Sequence, residues 1–326
     1  MKKEEQLLPK DWSFLGPKVP LQLPSPVIHL PPNPLFNHHP NIFVKCEYQI
    51  HPGFGGNKFR KLFYHVQNTI KENIDSWVTF GGPYSNHIAA VSQIGNILGI
   101  ETIGIIRGRK EFSSNLTLSK AVQNGMSLLF KNKREFDEYL DVGDTLYDFP
   151  DSHMIPMGGT DSAGVKGVID LGLEIENSGL SPDFVVVPFG SGGTFLGLCQ
   201  NSSFHSIGIP VTAISEMYLK KIETESGFQI KGSLFPGYHK GKIARLNTDM
   251  ISFIRLIWEE FGIPLDPIYN SLSFVALKNL INSQQIGLDS KIMIIHTGGL
   301  QGWLGIREQN KKMDLEFTSS FDPFMS

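Results

Sequence analysis

The chain has 326 residues, 40% hydrophobic and 19% charged, with a net charge of −3. That balance fits one large or two medium globular domains, and the absence of any long block of one sign argues against a nucleic-acid or anionic-membrane partner. Two cysteines, Cys46 and Cys199, make neither a disulfide framework nor a zinc spacing, and the charged start MKKEEQLLPKDW has no apolar leader core, so a soluble, cytoplasmic protein is expected.

In chain order, a proline-rich opening (Ser25–Pro40) is expected to wrap a surface. A strand is expected over Asn41–Tyr48, then the turn HPGFGGNK, then a helix from Lys58 with Leu62, Val66 and Ile70 on one face. Strands and helices then alternate. Trp77–Phe80 precedes a helix from Ser85 to about Leu98, and Glu101–Gly108 precedes one at Leu116–Asn124. Further strands are expected at Ser127–Phe130, His153–Met157, Phe184–Phe189, Val211–Ser215 and Lys291–Thr297, with Glu216 at a strand end. Helices are expected at Ala163–Asn177, from Thr194, at Asp249–Phe261 and at Ser273–Asn282. The run Val78–Ile100 carries no formal charge, but Gly81, Gly82, Pro83 and Asn86 break it, so it is not read as a membrane span. Short β-rich runs alternating with helices give an α/β fold of mainly parallel sheets with right-handed crossovers.

Four of these strands end in glycines: GGPYSNH, GGTDSAG, GSGGTFLG and GGLQG. Ligands of open α/β sheets bind outside the carboxyl ends of strands, so four such loops predict one cleft floored by exposed amides. In Gly190-Ser191-Gly192-Gly193-Thr194, bare glycines let a phosphate reach the backbone, a helix start aims N–H groups at it, and hydroxyls add donors. A bulky residue at Gly192 is expected to block that approach. The loop lacks the Gly-Lys-Ser/Thr ending of nucleotide triphosphate sites, and Phe195 spoils a dinucleotide fingerprint, which Glu216 would otherwise support. A phosphate clamp joined to a lysine at the mouth of a glycine turn, Lys58, suits pyridoxal phosphate. Ser85 is a good helix N-cap, which would account for it by itself. Functionally, Ser85, Asn86 and His87 at a helix start suit an amino-acid carboxylate, with Asn86 able to bond a phenolic oxygen. His38, His39 and His239 have no ligand spacing and read as surface or loop residues, and no metal is expected.

The segments HPGFGGNKFRKL, TFGGPYSNHIAA, TIGIIRG, PMGGTDSAGVKG, SGGT, FGIPLDPIY and IIHTGGLQG, in order from about residue 43 to 306, together resemble the 1-aminocyclopropane-1-carboxylate deaminase / D-cysteine desulfhydrase family. Those are fold type II pyridoxal phosphate enzymes akin to the tryptophan synthase β subunit. The resemblance implies two open, mainly parallel sheet domains with helices on both faces: a small one over 61–164 and a large one over 1–60 plus 165–326, the cofactor lying between them. It implies that Lys58 bonds the cofactor aldehyde and that Lys58, Ser85 and Tyr269 are catalytic. Gly190 to Thr194 would hold the phosphate, Tyr269 would lie beside the ring, and Asn86 would meet the ring oxygen. Ser85, Asn86, His87, Gly158, Gly159 and Thr160 would bind substrate. A homodimer is implied.

Two departures stand out. Asn270-Ser271-Leu272 replaces a usual Thr/Glu-Gly-Lys, so Asn270 would take the contact to the ring nitrogen. In GKIAR, Ile243 falls where relatives carry a second active-site tyrosine. The expected activity is β-elimination from a small amino acid, D-cysteine desulfhydrase-like, giving pyruvate and ammonia. The alternatives are cyclopropane-substrate deamination, a sister dehydratase or racemase, a cofactor-binding homologue without catalysis, or a dinucleotide-dependent oxidoreductase.

Overall fold

The structure, a computed structural model, describes residues 12, 15, 19–141, 148–200, 202–238, 246–310 and 315–324. His239 and Ile243 lie outside them. In chain order the elements open with β1 (Val27–Leu30), β2 (Ile42–Cys46), α1 (Asn57–Glu72) and β3 (Ser76–Gly81). Next come α2 (Asn86–Leu98), β4 (Glu101–Arg107), α3 (Leu116–Gln123), β5 (Met126–Lys131), α4 (Lys133–Asp141) and β6 (His153–Ile155). Then follow α5 (Ser162–Glu176), β7 (Phe184–Phe189), α6 (Gly193–Leu198), β8 (His205–Pro210), α7 (Glu216–Ser226) and β9 (Ser233–Leu234). The chain continues with α8 (Thr248–Phe261), α9 (Asn270–Asn282), β10 (Ile292–His296) and α10 (Gly302–Gln309) before a 3-10 segment, Glu316–Phe324.

Two sheets result. One has the order β1-β2-β10-β7-β8-β9, the other β5-β4-β3-β6. All pairings are parallel except β1 with β2, which places the proline-rich opening as an antiparallel edge. Alternation along the strands buries both faces of each sheet. Val186 of β7 joins the core beneath α8 and α9, while Val185 and Val187 join that beneath α5 and α6. In the smaller sheet Trp77 faces the α1–α3 side, and Val78 and Phe80 face Phe136 of α4. Near-continuous apolar strands are what two covered faces demand. The two helix layers meet where α1 crosses α5. There Gly167 lets the backbones touch, since a Cβ would stand 2.1 Å from the Arg60 carbonyl oxygen.

Several expectations shift. Val211–Ser215 forms no strand; the strand is β8 just before it, and Glu216 opens α7 instead of ending a strand. Leu62 and Val66 are buried as expected, but Ile70 is 51% exposed. His39, expected at the surface, is buried with its Nε2 3.2 Å from the Gly287 carbonyl. Among the described residues, no helix is long and apolar enough to cross a membrane.

Candidate active site

A cavity of about 600 Å³ opens at the carboxyl ends of β3, β4, β6, β7 and β10, walled on one side by the Pro52–Lys58 turn. Parallel strands put their loops at one edge, so the four glycine-rich loops converge there as the sequence predicts.

The turn itself is stitched to two of those loops. Asn57 donates its backbone N–H to the Thr297 carbonyl at 3.1 Å and its side-chain amide to Thr194 Oγ1 at 2.8 Å. Gly56 has a φ of 109° and sits against the Thr297 carbonyl, leaving no room for a Cβ. Helix α1 therefore starts in the cleft, with Lys58 in its first turn lining the cavity. The Lys58 amine donates to the Gly158 carbonyl at 3.1 Å. Loss of hydration there pushes its pKa down to about 8.

Lys61, three residues on and so on the same helix face, shares that carbonyl at 3.0 Å. It also reaches Thr160 Oγ1 at 3.2 Å and Ser191 Oγ at 3.3 Å, while Thr160 donates to Ser191 at 2.7 Å. Burial, then the neighbouring Lys58 charge, holds the Lys61 amine well below the usual lysine range. Sequence reasoning missed Lys61; its spacing from Lys58 was the available signal.

Of the predicted phosphate residues, Gly190, Ser191, Gly192 and Thr194 line the cavity. Helix α6 is only six residues long, so the local donors are its first N–H groups and Lys61, with little help from a long dipole. Gly192 has a φ of 84°, and a Cβ there would strike Ile222 and Phe189, pointing into the core and away from the cleft. A bulky residue at 192 would thus strain the core without blocking the cradle, contrary to the sequence expectation. Gly193 is the sharper probe, because its Cβ would lie 2.7 Å from Lys61 Nζ and 2.9 Å from Thr160 Oγ1. Gly193→Val is expected to weaken cofactor binding by about tenfold or more, the scale of a lost charge-assisted contact. Titration of the apoenzyme followed by absorbance checks it; unchanged affinity would remove this loop from the phosphate site.

Ser85 caps α2, its Oγ accepting from the backbone N–H of His87 at 3.2 Å and Ile88 at 3.3 Å. Ser85, Asn86 and His87 all line the cavity. Asn86 Oδ1 is buried and makes no hydrogen bond. His87 turns its Nε2 to Thr79 Oγ1 at 2.9 Å, and burial followed by the Lys58 and Lys61 charges keeps the ring neutral. Thr79 Oγ1 gives its proton to the Ile155 carbonyl at 2.8 Å, so it accepts from His87 Nε2–H, and the free Nδ1 of the neutral ring is an acceptor that offers a carboxylate neither a charge nor a proton.

Tyr269 lines the cavity against Gly190, and burial followed by the Asp266 charge raises its phenol to about 12, so it keeps its proton. Gly158 also lines the cavity; Gly159 and Thr160 lie behind it, Thr160 on the side of the Gly190–Thr194 loop. Asn270 differs most from expectation, for it does not line the cavity. Its amide donates to Asp266 and, at 2.8 Å, to the Gly298 carbonyl, and its oxygen accepts from Thr297 N–H at 2.9 Å. The side chain pins the Thr297–Gly299 turn instead of facing into the cleft. Phe324, near the chain end, adds a wall by packing edge-on to Tyr48 with centroids 5.3 Å apart.

The residues present fit a phosphorylated aldehyde: an amine able to lose its proton near neutrality, a second amine beside hydroxyls and bare backbone, and a buried amide oxygen awaiting a donor. Similar proteins agree with that chemistry. A Pyrococcus furiosus protein with a provisional 1-aminocyclopropane-1-carboxylate deaminase name is 28% identical over 285 residues, 80% of this chain and 85% of its own. The Arabidopsis thaliana bifunctional D-cysteine desulfhydrase/1-aminocyclopropane-1-carboxylate deaminase is 27% identical over 76% of this chain and 69% of its own. A crystal structure of a 1-aminocyclopropane-1-carboxylate deaminase homologue superposes with a TM-score of 0.77 at 25% identity, covering 91% of this chain and 97% of the other. The family model of pyridoxal-phosphate dependent enzymes matches residues 20–298, a span that takes in every described strand and the first three glycine loops of the cleft and ends at the start of the fourth, and the chain belongs to that family.

Proposed function

We propose that the protein is a deaminating lyase that removes a β-substituent from a small amino acid in the manner of D-cysteine desulfhydrase, yielding pyruvate and ammonia. The observation that supports this best is the division of labour between two lysines on one face of α1. The Lys61 amine is committed to Ser191, Thr160 and Gly158, while that of Lys58, among the described residues, bonds only the Gly158 carbonyl and, with its pKa pushed down to about 8, gives up its proton far more readily than an ordinary lysine.

Pyridoxal phosphate, when bound, supplies an electron sink next to Cα that makes the proton there removable. Lys58 would hold the cofactor between turnovers and, once released by the incoming amino group, take the Cα proton on Nζ. Lys61, Ser191, Thr194 and the N–H groups opening α6 would hold the phosphate. The start of α2, with Ser85 and Asn86, would hold the substrate carboxylate, and Asn86 the ring oxygen. Tyr269, still protonated and lining the cavity, would donate a proton. The phosphate grip keeps Lys58 aligned with Cα. The β-substituent leaves with its bonding pair, and one water converts the remainder to pyruvate and ammonia.

Cyclopropane deamination is the second reading, favoured by the names of the similar proteins. That substrate has no Cα hydrogen for Lys58 to take, and Asn270 supplies no acid to the cleft. D-Cysteine and β-chloro-D-alanine are therefore expected to release keto acid well above the rate of the cyclopropane. Keto-acid release from the cyclopropane and both enantiomers of cysteine, serine and chloroalanine tests this; faster 2-oxobutyrate formation would reverse it. The reading carries with it the division into 61–164 and the remainder, a homodimer and cytoplasmic residence. Limited proteolysis, sedimentation and fractionation check these in turn.

A further inference from the structure

Charge in the cleft is one-sided. Three cations line it, Lys58, Lys61 and Arg107, and among the described lining residues there is no aspartate or glutamate. Lys58 and Lys61 are accounted for by the cofactor's two ends. Arg107 is not. It makes no ion pair among the described residues, and its guanidinium leans over the Phe136 ring at 5.8 Å.

Its position is set by the sheet. β3 and β4 run parallel with Gly81 opposite Ile106, so Arg107 leaves the sheet next to Gly82 and Pro83. Gly108 confirms the closeness: a Cβ there would stand 3.3 Å from Pro83 Cγ. Neighbouring strands lie about 4.8 Å apart, which puts Arg107 on the same wall as the loop that leads into Ser85 and Asn86. Lys61 is held elsewhere, on Ser191 and Thr160. An amino acid whose carboxylate sits at the start of α2 can thus turn its side chain toward Arg107, which is exposed at the rim and reachable from solvent.

We propose that Arg107 determines specificity, and that the cleft selects amino acids whose side chain ends in an anion (a carboxylate, sulfonate or phosphate) over neutral counterparts of similar size. This rests on the reading that the start of α2 binds the substrate carboxylate. Guanidinium is suited to all three anions because its planar fork makes paired hydrogen bonds. An uncompensated cation in a cleft also focuses the field on arriving anions.

The test uses the holoenzyme and needs no turnover. The cofactor absorption band is followed while aspartate is titrated against asparagine, cysteate against cysteine, and O-phosphoserine against serine, each as both enantiomers. At low ionic strength the charged member of at least one pair is expected to bind about tenfold tighter, the scale of a charge-assisted contact at a partly wet site. That margin should shrink as salt is raised, because the rim is exposed. In Arg107→Gln the ratio within a pair should fall to about one, and Arg107→Lys should keep part of it. The pair that shows the largest ratio identifies the anion. Equal binding within every pair overturns the proposal, as does a preference that survives in Arg107→Gln. The wild-type ratios decide the matter even if that variant fails to fold. Keto-acid release, assayed separately, bears on the elimination reading alone: binding preference without turnover would remove that reading and leave Arg107 in place.

Discussion

Replacing Lys58 with alanine is expected to cut turnover by at least about a thousandfold, because in the proposed reading one side chain would both hold the cofactor and move the Cα proton, and effects of that kind do not divide. Lys58→Arg should fare no better, since a guanidinium stays protonated and forms no bond to the aldehyde. Borohydride reduction of the wild-type holoenzyme, followed by peptide mapping, should place a pyridoxyl group on Lys58. Finding it on Lys61 would invert the two roles. The pH dependence gives a second check. Burial lowers the Lys58 amine to about 8, and only the neutral amine attacks an aldehyde. The rate at which apoenzyme captures cofactor should therefore rise with pH through about 8 and level off above it. An unshifted lysine would still be climbing at pH 10, well beyond physiological conditions, and such a profile would count against the cleft's effect on Lys58.

What could be seen in the sequence was the part written in local pattern. Glycines following β-rich runs marked the cleft loops, and parallel topology did the rest by bringing those ends together. Lys58 was visible because a glycine turn isolates it. Lys61 was harder, since charge alone reads as surface; it is buried because α1 presents the Lys58–Lys61 face to the Gly158 carbonyl, a contact spanning about a hundred positions. Strand β8 was hidden for a different reason. His205, Ser206, Gly208 and Pro210 are weak strand formers, and pairing with β7 along Phe184–Phe189 overrides that propensity. The apolar-looking Val211–Ser215 run lies just past the end of that ladder and becomes part of the cleft rim. Asn270 was assigned by its place after Tyr269, yet its hydrogen bonds to Asp266, Thr297 and Gly298 belong to a turn whose other half is 27 or 28 residues away. Arg107 closes β4 as an ordinary polar strand end, and only the census of the whole cavity makes it conspicuous.

The largest stability effect is expected at Arg60, which lies between the two lysines in sequence but on the other side of α1. Its Nε pairs with Glu47 Oε2, and its Nη2 donates to Glu47 Oε1 at 2.9 Å. Nη1 and Nη2 donate to the two oxygens of Glu174 at 2.9 Å each. Lys45 meets Glu174 at 2.9 Å, and Ser25 donates to Glu47 at 2.6 Å. The guanidinium so joins the end of β2, α1 and α5 in a place where Glu47 and Arg60 are almost wholly buried. Arg60→Leu would leave Glu47 buried without its cation, and breaking such a pair from one side costs about 3–5 kcal/mol. Arg60→Lys should recover little, because an ammonium cannot bridge two carboxylates with paired donors. The dependence on pH has a definite sign. Burial alone would raise the Glu174 carboxyl, but the hydrogen bond and charge of Arg60, with Lys45, more than offset it and hold it below the usual carboxylate range. Its contribution to stability is therefore present above the ordinary Glu value of about 4.3 and is lost as pH falls through the lower native one. Without Arg60 that contribution is largely gone, so the gap between wild type and Arg60→Leu should be widest near neutrality and narrow on acidification. Urea unfolding at pH 7 and at about pH 3, below the ordinary Glu value, measures it. A gap that is below about 1 kcal/mol at pH 7 would mean the network is replaceable, as some buried ion networks are. The same substitution frees the first turns of α1, so it should also lower the fraction of enzyme that keeps cofactor on Lys58 after dialysis. That loss would tie the anchoring of the helix to the placement of its lysine.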